Sequence, residues 1–96
     1  MKHEIISIAL DNLNKTTGLD TQWRLNGPLD GITTFIINGK NHECVTEIKR
    51  ELRQHQIHRI NHYHKTNKNF LIVAERIFPK IKNELRDLGI AYLEAN

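Results

Sequence analysis

The dipeptide Asn38-Gly39 constrains this chain more than any other feature, because it joins two runs with strand character. Both residues tolerate the positive φ of a two-residue type I′ turn, so the pair predicts a β-hairpin across Pro28–Lys49. With Asn38 and Gly39 as the loop, Ile37 faces Lys40, and the same register sets Ile32 opposite Val45 and Asp30 opposite Glu47. Side chains alternate along a strand, so Glu47 and Lys49 share one face while Ile48 points to the other. Two carboxylates and an ammonium are therefore expected on one face, with the Asp30 and Glu47 Cβ atoms roughly 5 Å apart. Like charges directly opposed destabilise a sheet. A divalent cation between them would reverse that penalty, so the arrangement reads as a metal site.

Ninety-six residues supply one domain with one core, and residues 1–96 are read as a single α/β domain. Charged residues at 26% and hydrophobic residues at 39% argue against disorder. The net charge of +3 permits a polyanionic partner without demanding one. Cys44 is the lone cysteine, which excludes an internal disulfide framework and fits a reducing, cytoplasmic setting. Strand alternation turns it away from Glu47, as a small core residue and not a nucleophile. No apolar run resembles a signal peptide or reaches transmembrane length, so no membrane association is expected. The chain stops at Glu94-Ala95-Asn96, directly after an expected strand, and reads as a domain cut from a longer chain.

Along the chain, Lys2–Thr17 reads as an amphipathic helix with Ile5, Ile6, Ala9, Leu10 and Leu13 at helical spacing and Gly18 as its stop. Glu4 suits the helix dipole near its start. Thr21–Leu25 reads as a short strand with Trp23 and Leu25 on one side, broken by Asn26-Gly27-Pro28. After Lys49 the period changes, and Arg50–His64 reads as a helix with Leu52, Gln56, Ile60 and Tyr63 along one face. Gln56 then needs amide partners, which the polar face of the hairpin could supply. Phe70–Ala74 is a continuous apolar run, the mark of a strand covered on both faces. Pro79 opens a last helix with Phe78, Ile81, Leu85 and Leu88 as its buried stripe. Gly89 ends it, and Ile90–Leu93 resumes a strand.

An E-x-K triplet alone is weak, since charged residues on a strand are usually a solvated face. The joint pattern of Pro28-Leu29-Asp30, Glu47-Ile48-Lys49, a following helix and a doubly buried strand says more. In that pattern the chain resembles the PD-(D/E)xK nuclease superfamily, with its restriction-endonuclease-like core. The resemblance implies a helix, a three-stranded antiparallel meander, then helix-strand-helix-strand in one mixed sheet. It further implies that Asp30, Glu47 and the Ile48 backbone oxygen hold Mg²⁺ (or Mn²⁺), and that Lys49 activates water and offsets phosphate charge. Glu4 and Gln56 are the positional candidates for an extra acid and a catalytic glutamine. Leu29 between Pro28 and Asp30, and Tyr63 seven residues after Gln56, depart from the pattern of particular branches.

Phosphodiester hydrolysis uses a metal to polarise the phosphoryl oxygen and acidify water, with a nearby lysine stabilising developing charge. Hard oxygen ligands suit Mg²⁺. Two function classes are carried: a metal-dependent DNA endonuclease, and a non-catalytic DNA-binding or antitoxin-like regulatory domain on the same fold. Partners implied are DNA and either a second copy or further domains of a longer chain. Arg50, Arg53, His55 and Arg59 are the candidate phosphate contacts, which position a duplex without reading sequence. His55, His58 and His62 form a helical stripe, favoured as a polar outer face over a zinc site because no HExxH pattern accompanies them.

Overall fold

Apolar residues at helical spacing shape the first element. In the computed structural model, which describes residues 2–96, helix α1 spans Lys2–Thr17 and buries Ile5, Ile6, Ala9 and Leu10. Gly18 ends it at φ +74°, donating its N–H to the Asn14 carbonyl at 2.7 Å. Strand β1 is Asp20–Arg24, one residue earlier than expected at each end. It can pair only as far as β2 reaches: Arg24 lies opposite Ile32, the first residue of β2 (Ile32–Ile37), and Leu25 is left 72% exposed.

The hairpin forms on the turn the sequence predicts. Asn38 and Gly39 both have positive φ (53° and 77°), and antiparallel pairing runs from Ile37–Lys40 to Ile32–Val45. Strand β3, Lys40–Leu52, is more than twice as long as β2. Its second half pairs in parallel with β4, Phe70–Ile77, from Val45–Phe70 to Leu52–Ile77. This ladder corrects the expected helix over Arg50–His64. Arg50, Glu51 and Leu52 stay extended because β4 offers them partners and Leu52 is fully buried. A single 3₁₀ turn at Gln54–Gln56 then leads into α2, Ile57–Thr66.

Helix α3 is Pro79–Leu88, with Pro79 at its start and Gly89 in the left-handed conformation at its end. Strand β5, Ala91–Glu94, pairs in parallel with β4. The result is an α/β protein with one five-stranded mixed sheet in the order β1-β2-β3-β4-β5. Alternation along β4 divides the core between two faces. Leu71 and Val73 join Ile48 against α1, whereas Phe70, Ile72 and Ala74 pack with Ile57 and Ile60 of α2 and Ile81 and Leu85 of α3. The run is covered on both faces, as its composition predicts. Each fully buried Ile or Leu contributes about 1.5–3 kcal/mol over leaving it exposed. Phe78 and Leu88 depart from the expected stripe, at 45% and 38% exposure. Phe78 is the extended residue preceding α3, so it lies off the helical face that Ile81 and Leu85 share.

Candidate active site

The hairpin ladder stops at Ile32–Val45 while β3 continues alone toward β4. Asp30 sits at this divergence, in a turn closed by the Gly31 N–H donating to the Pro28 carbonyl at 3.2 Å. The turn needs unusual backbone: Leu29 has φ 55° and Gly31 φ 111°. A Cβ on Gly31 would overlap the Arg24 carbonyl and press on the Trp23 indole, so glycine is the residue that fits. The Trp23 Nε1–H donates to the Asp30 carbonyl at 3.0 Å and holds the turn from outside.

The expectation that Asp30 lies directly opposite Glu47 is corrected by this turn. The Asp30 N–H donates to the Thr46 carbonyl and the Thr46 N–H donates to the Gly31 carbonyl, both at 2.9 Å. Two turn residues thus face one strand residue, the count of a bulge. The carboxylates still meet. Asp30 Oδ2 accepts the Ile48 N–H at 2.8 Å, and its carboxyl is within hydrogen-bonding reach of Glu47, which is only 7% exposed. Lys49 Nζ stands 4.0 Å from Glu47 Oε2. In an extended strand the N–H and C=O of one residue point to the same edge. The Ile48 carbonyl is therefore directed to the edge where its N–H meets Asp30.

Burial, then the hydrogen bond and negative charge of Asp30, push Glu47 up to about 7 against the opposing pull of Lys49 and Lys2. Burial acts upward on Asp30 too. There the hydrogen bond with Glu47, the Ile48 N–H and the Lys2 ammonium outweigh it, and its carboxyl is held below the usual aspartate value. The two carboxyls are thus pushed apart, Glu47 upward and Asp30 downward, because burial and their mutual repulsion disfavour two full charges side by side. Two carboxylates and a carbonyl make a hard oxygen donor set, which fits Mg²⁺ completed by waters. Among the described residues, no three or more His, Cys, Asp or Glu side chains group in a way that could hold a metal.

The other candidates fall elsewhere. Gln56 does not turn to the carboxylates: its Oε1 accepts the Arg53 N–H at 2.8 Å and caps the turn leading into α2. The longer β3 is the reason, because it moves the helix start from Arg50 to the 3₁₀ turn and spends the Gln56 amide there. Glu4 is exposed and lines a surface hollow with Ile5, Ile8, Glu75 and Ala95. Lys2, not Glu4, is the α1 residue that reaches the site, with Nζ 2.9 Å from Asp30 Oδ1. Sequence reasoning missed Lys2 and Trp23; their contacts with Asp30 depend on how α1 and β1 pack, and no local pattern encodes that. Arg50 lies 3.7 Å from Glu75 and Arg53 3.0 Å from Glu51. His55, His58, Arg59 and His62 are all exposed.

The chain is an α/β protein whose mixed sheet carries two carboxyls and a lysine where an antiparallel strand leaves a parallel pair. No family model, curated protein or solved structure matches the chain. No helix among the described residues is long and apolar enough to cross a membrane.

Proposed function

We propose that this chain is a metal-dependent DNA endonuclease domain with a restriction-endonuclease-like core, hydrolysing phosphodiester bonds. The observation that carries the reading is the meeting of Asp30 and the buried Glu47 beside Lys49, whose Nζ stands 4.0 Å from Glu47 Oε2. Asp30, Glu47 and the Ile48 carbonyl would hold Mg²⁺ or Mn²⁺, which when bound supplies Lewis acidity toward the phosphoryl oxygen and an acidified water. Asp30 is oriented for this by the Ile48 N–H and, through its carbonyl, by Trp23. Lys49 is half-buried, so its charge acts with less solvent screening on a phosphate beside Glu47. Arg50, Arg53, His55 and Arg59 provide exposed positive or titratable groups for the phosphate backbone. A second copy, or further domains of a longer cytoplasmic protein, would complete the substrate surface.

The test is cleavage of duplex, branched and single-stranded DNA with Mg²⁺ or Mn²⁺, against an EDTA control. Lys49→Ala is expected to lower turnover at least 100-fold, in the range of a lost transition-state contact, while leaving Mg²⁺ affinity near wild type. Asp30→Asn is expected to weaken Mg²⁺ binding itself. DNA binding without metal-dependent cleavage of any substrate form would favour a non-catalytic DNA-binding or antitoxin-like regulatory domain. That alternative is supported by one contact: the Lys2 ammonium already neutralises Asp30 without a metal.

A further inference from the structure

The first turn of α1 engages Asp30 from two directions. Lys2 Nζ reaches Oδ1 at 2.9 Å, while the Ile48 N–H occupies Oδ2. His3 packs edge-on against Trp23 with ring centroids 5.5 Å apart, and Trp23 donates to the Asp30 carbonyl. The Lys2 side chain is 57% exposed, whereas that of Asp30 is 16% exposed. An ammonium on a flexible, solvated stem thus neutralises a carboxylate that is mostly buried. Asp30 lies in a strained turn, with Leu29 and Gly31 at positive φ, so its position owes little to Lys2. Lys2 serves as a charge at this site and is not part of its framework.

We infer that Lys2 is a resident cation that a divalent metal must displace from Asp30, so that it sets the metal concentration at which the site fills. This rests on the metal-dependent reading of Asp30 and Glu47. The ammonium and a Mg²⁺ ion compete for the same oxygen, and two cations cannot share Oδ1 without repulsion. Because Lys2 is exposed, releasing it into water costs little, and the competition is modest. In the metal-free state Lys2 is the counter-charge to Asp30, at 2.9 Å from Oδ1, while the turn and the Ile48 N–H fix where Asp30 lies.

The experiment is Mg²⁺ titration of the full chain by calorimetry, with the Ile48 amide resonance followed in parallel because its N–H reports directly on Asp30. Lys2→Met is expected to bind Mg²⁺ roughly 2- to 5-fold more tightly, the scale of an exposed ion pair. Lys2→Arg keeps the charge and is expected to restore wild-type affinity. Lys40→Met removes an equal charge at the hairpin turn and is expected to leave affinity unchanged at physiological salt. Unfolding midpoints in EDTA guard against a structural cause. Wild type that binds at Asp30, with Lys2→Met no tighter or weaker, overturns the displacement role and leaves the nuclease reading standing. Equal tightening by Lys40→Met also overturns it, since a general field would then be responsible. If neither wild type nor Lys2→Met binds Mg²⁺ and the Ile48 amide never moves, both readings fall. Binding by Lys2→Met alone supports the displacement role.

Discussion

At the scale of single residues, the Asp30–Glu47 pair makes metal-free stability depend on pH. Glu47 titrates near its ordinary 4.5 in the unfolded chain but near 7 in the fold, so between those values the native state keeps a proton that the unfolded state releases. Stability in EDTA is therefore expected to fall as pH rises from 4.5 to 7, by about 2–3 kcal/mol. Asp30 works in the opposite sense and outside this window. Its depressed value contributes stability above the ordinary 3.8, lost as pH falls through the folded value. Urea denaturation at pH 5 and pH 8 measures the fall, and Asp30→Asn is expected to reduce it by removing the charge that opposes Glu47, leaving the part that burial causes. A fall of equal size in Asp30→Asn would detach the effect from the pair. Gly31 is the second decisive residue. Gly31→Ala would force a Cβ against the Arg24 carbonyl at a φ of 111°, and is expected to cost at least about 2 kcal/mol. Gly39→Ala at the open hairpin turn, with nothing within 4 Å of the added Cβ, is the milder comparison.

At the scale of elements, the length of β3 decides what the following segment can do. Periodicity alone allows Arg50–Leu52 to be helical, since Leu52 and Ile60 fall on a common face. Parallel pairing with β4 claims those residues instead, and the chain turns only at Arg53. Gln56 then spends its carboxamide oxygen on the Arg53 N–H. Gln56→Ala is accordingly expected to lower stability by about 1 kcal/mol, the usual scale of a lost helix cap, with no change in Mg²⁺ affinity. Thermal unfolding and the same calorimetric titration check both halves. Weakened metal binding at unchanged stability would return Gln56 to the site.

At the scale of the whole molecule, one sheet carries two cores. Ile6 of α1 and Leu85 of α3 lie on opposite faces, and both are essentially inaccessible. Because β3 and β4 contribute residues to both cores, neither can melt alone without exposing the other. Ile6→Ala and Leu85→Ala are each expected to cost about 2–5 kcal/mol and to shift a single cooperative transition. Fluorescence of Trp23, on the α1 side, should then coincide with far-ultraviolet circular dichroism in both variants. Separated transitions would show that the faces fold independently.

Elements whose signals are local can be read directly from the residues. The Asn38-Gly39 turn set the hairpin register through Ile32–Val45 because positive φ at two successive residues admits few solutions. The spacing of Ile5, Ile6, Ala9 and Leu10 defined α1, and the unbroken run Phe70–Ala74 announced a strand covered on both faces. The same alternation placed Glu47 and Lys49 on one side of β3. Where β3 ends is set by long-range pairing, because strand propagation depends on a partner that arrives more than twenty residues later. Tertiary structure also decides how Asp30 reaches Glu47. A turn at Leu29–Gly31 ends the ladder one step short, and the carboxylate is delivered by hydrogen bonds to Ile48 and Thr46 in place of simple cross-strand register. Lys2 belongs wholly to this second class. Twenty-eight residues separate it from Asp30, and their contact exists because α1 packs on the sheet with its first turn at the divergence of β2 and β3.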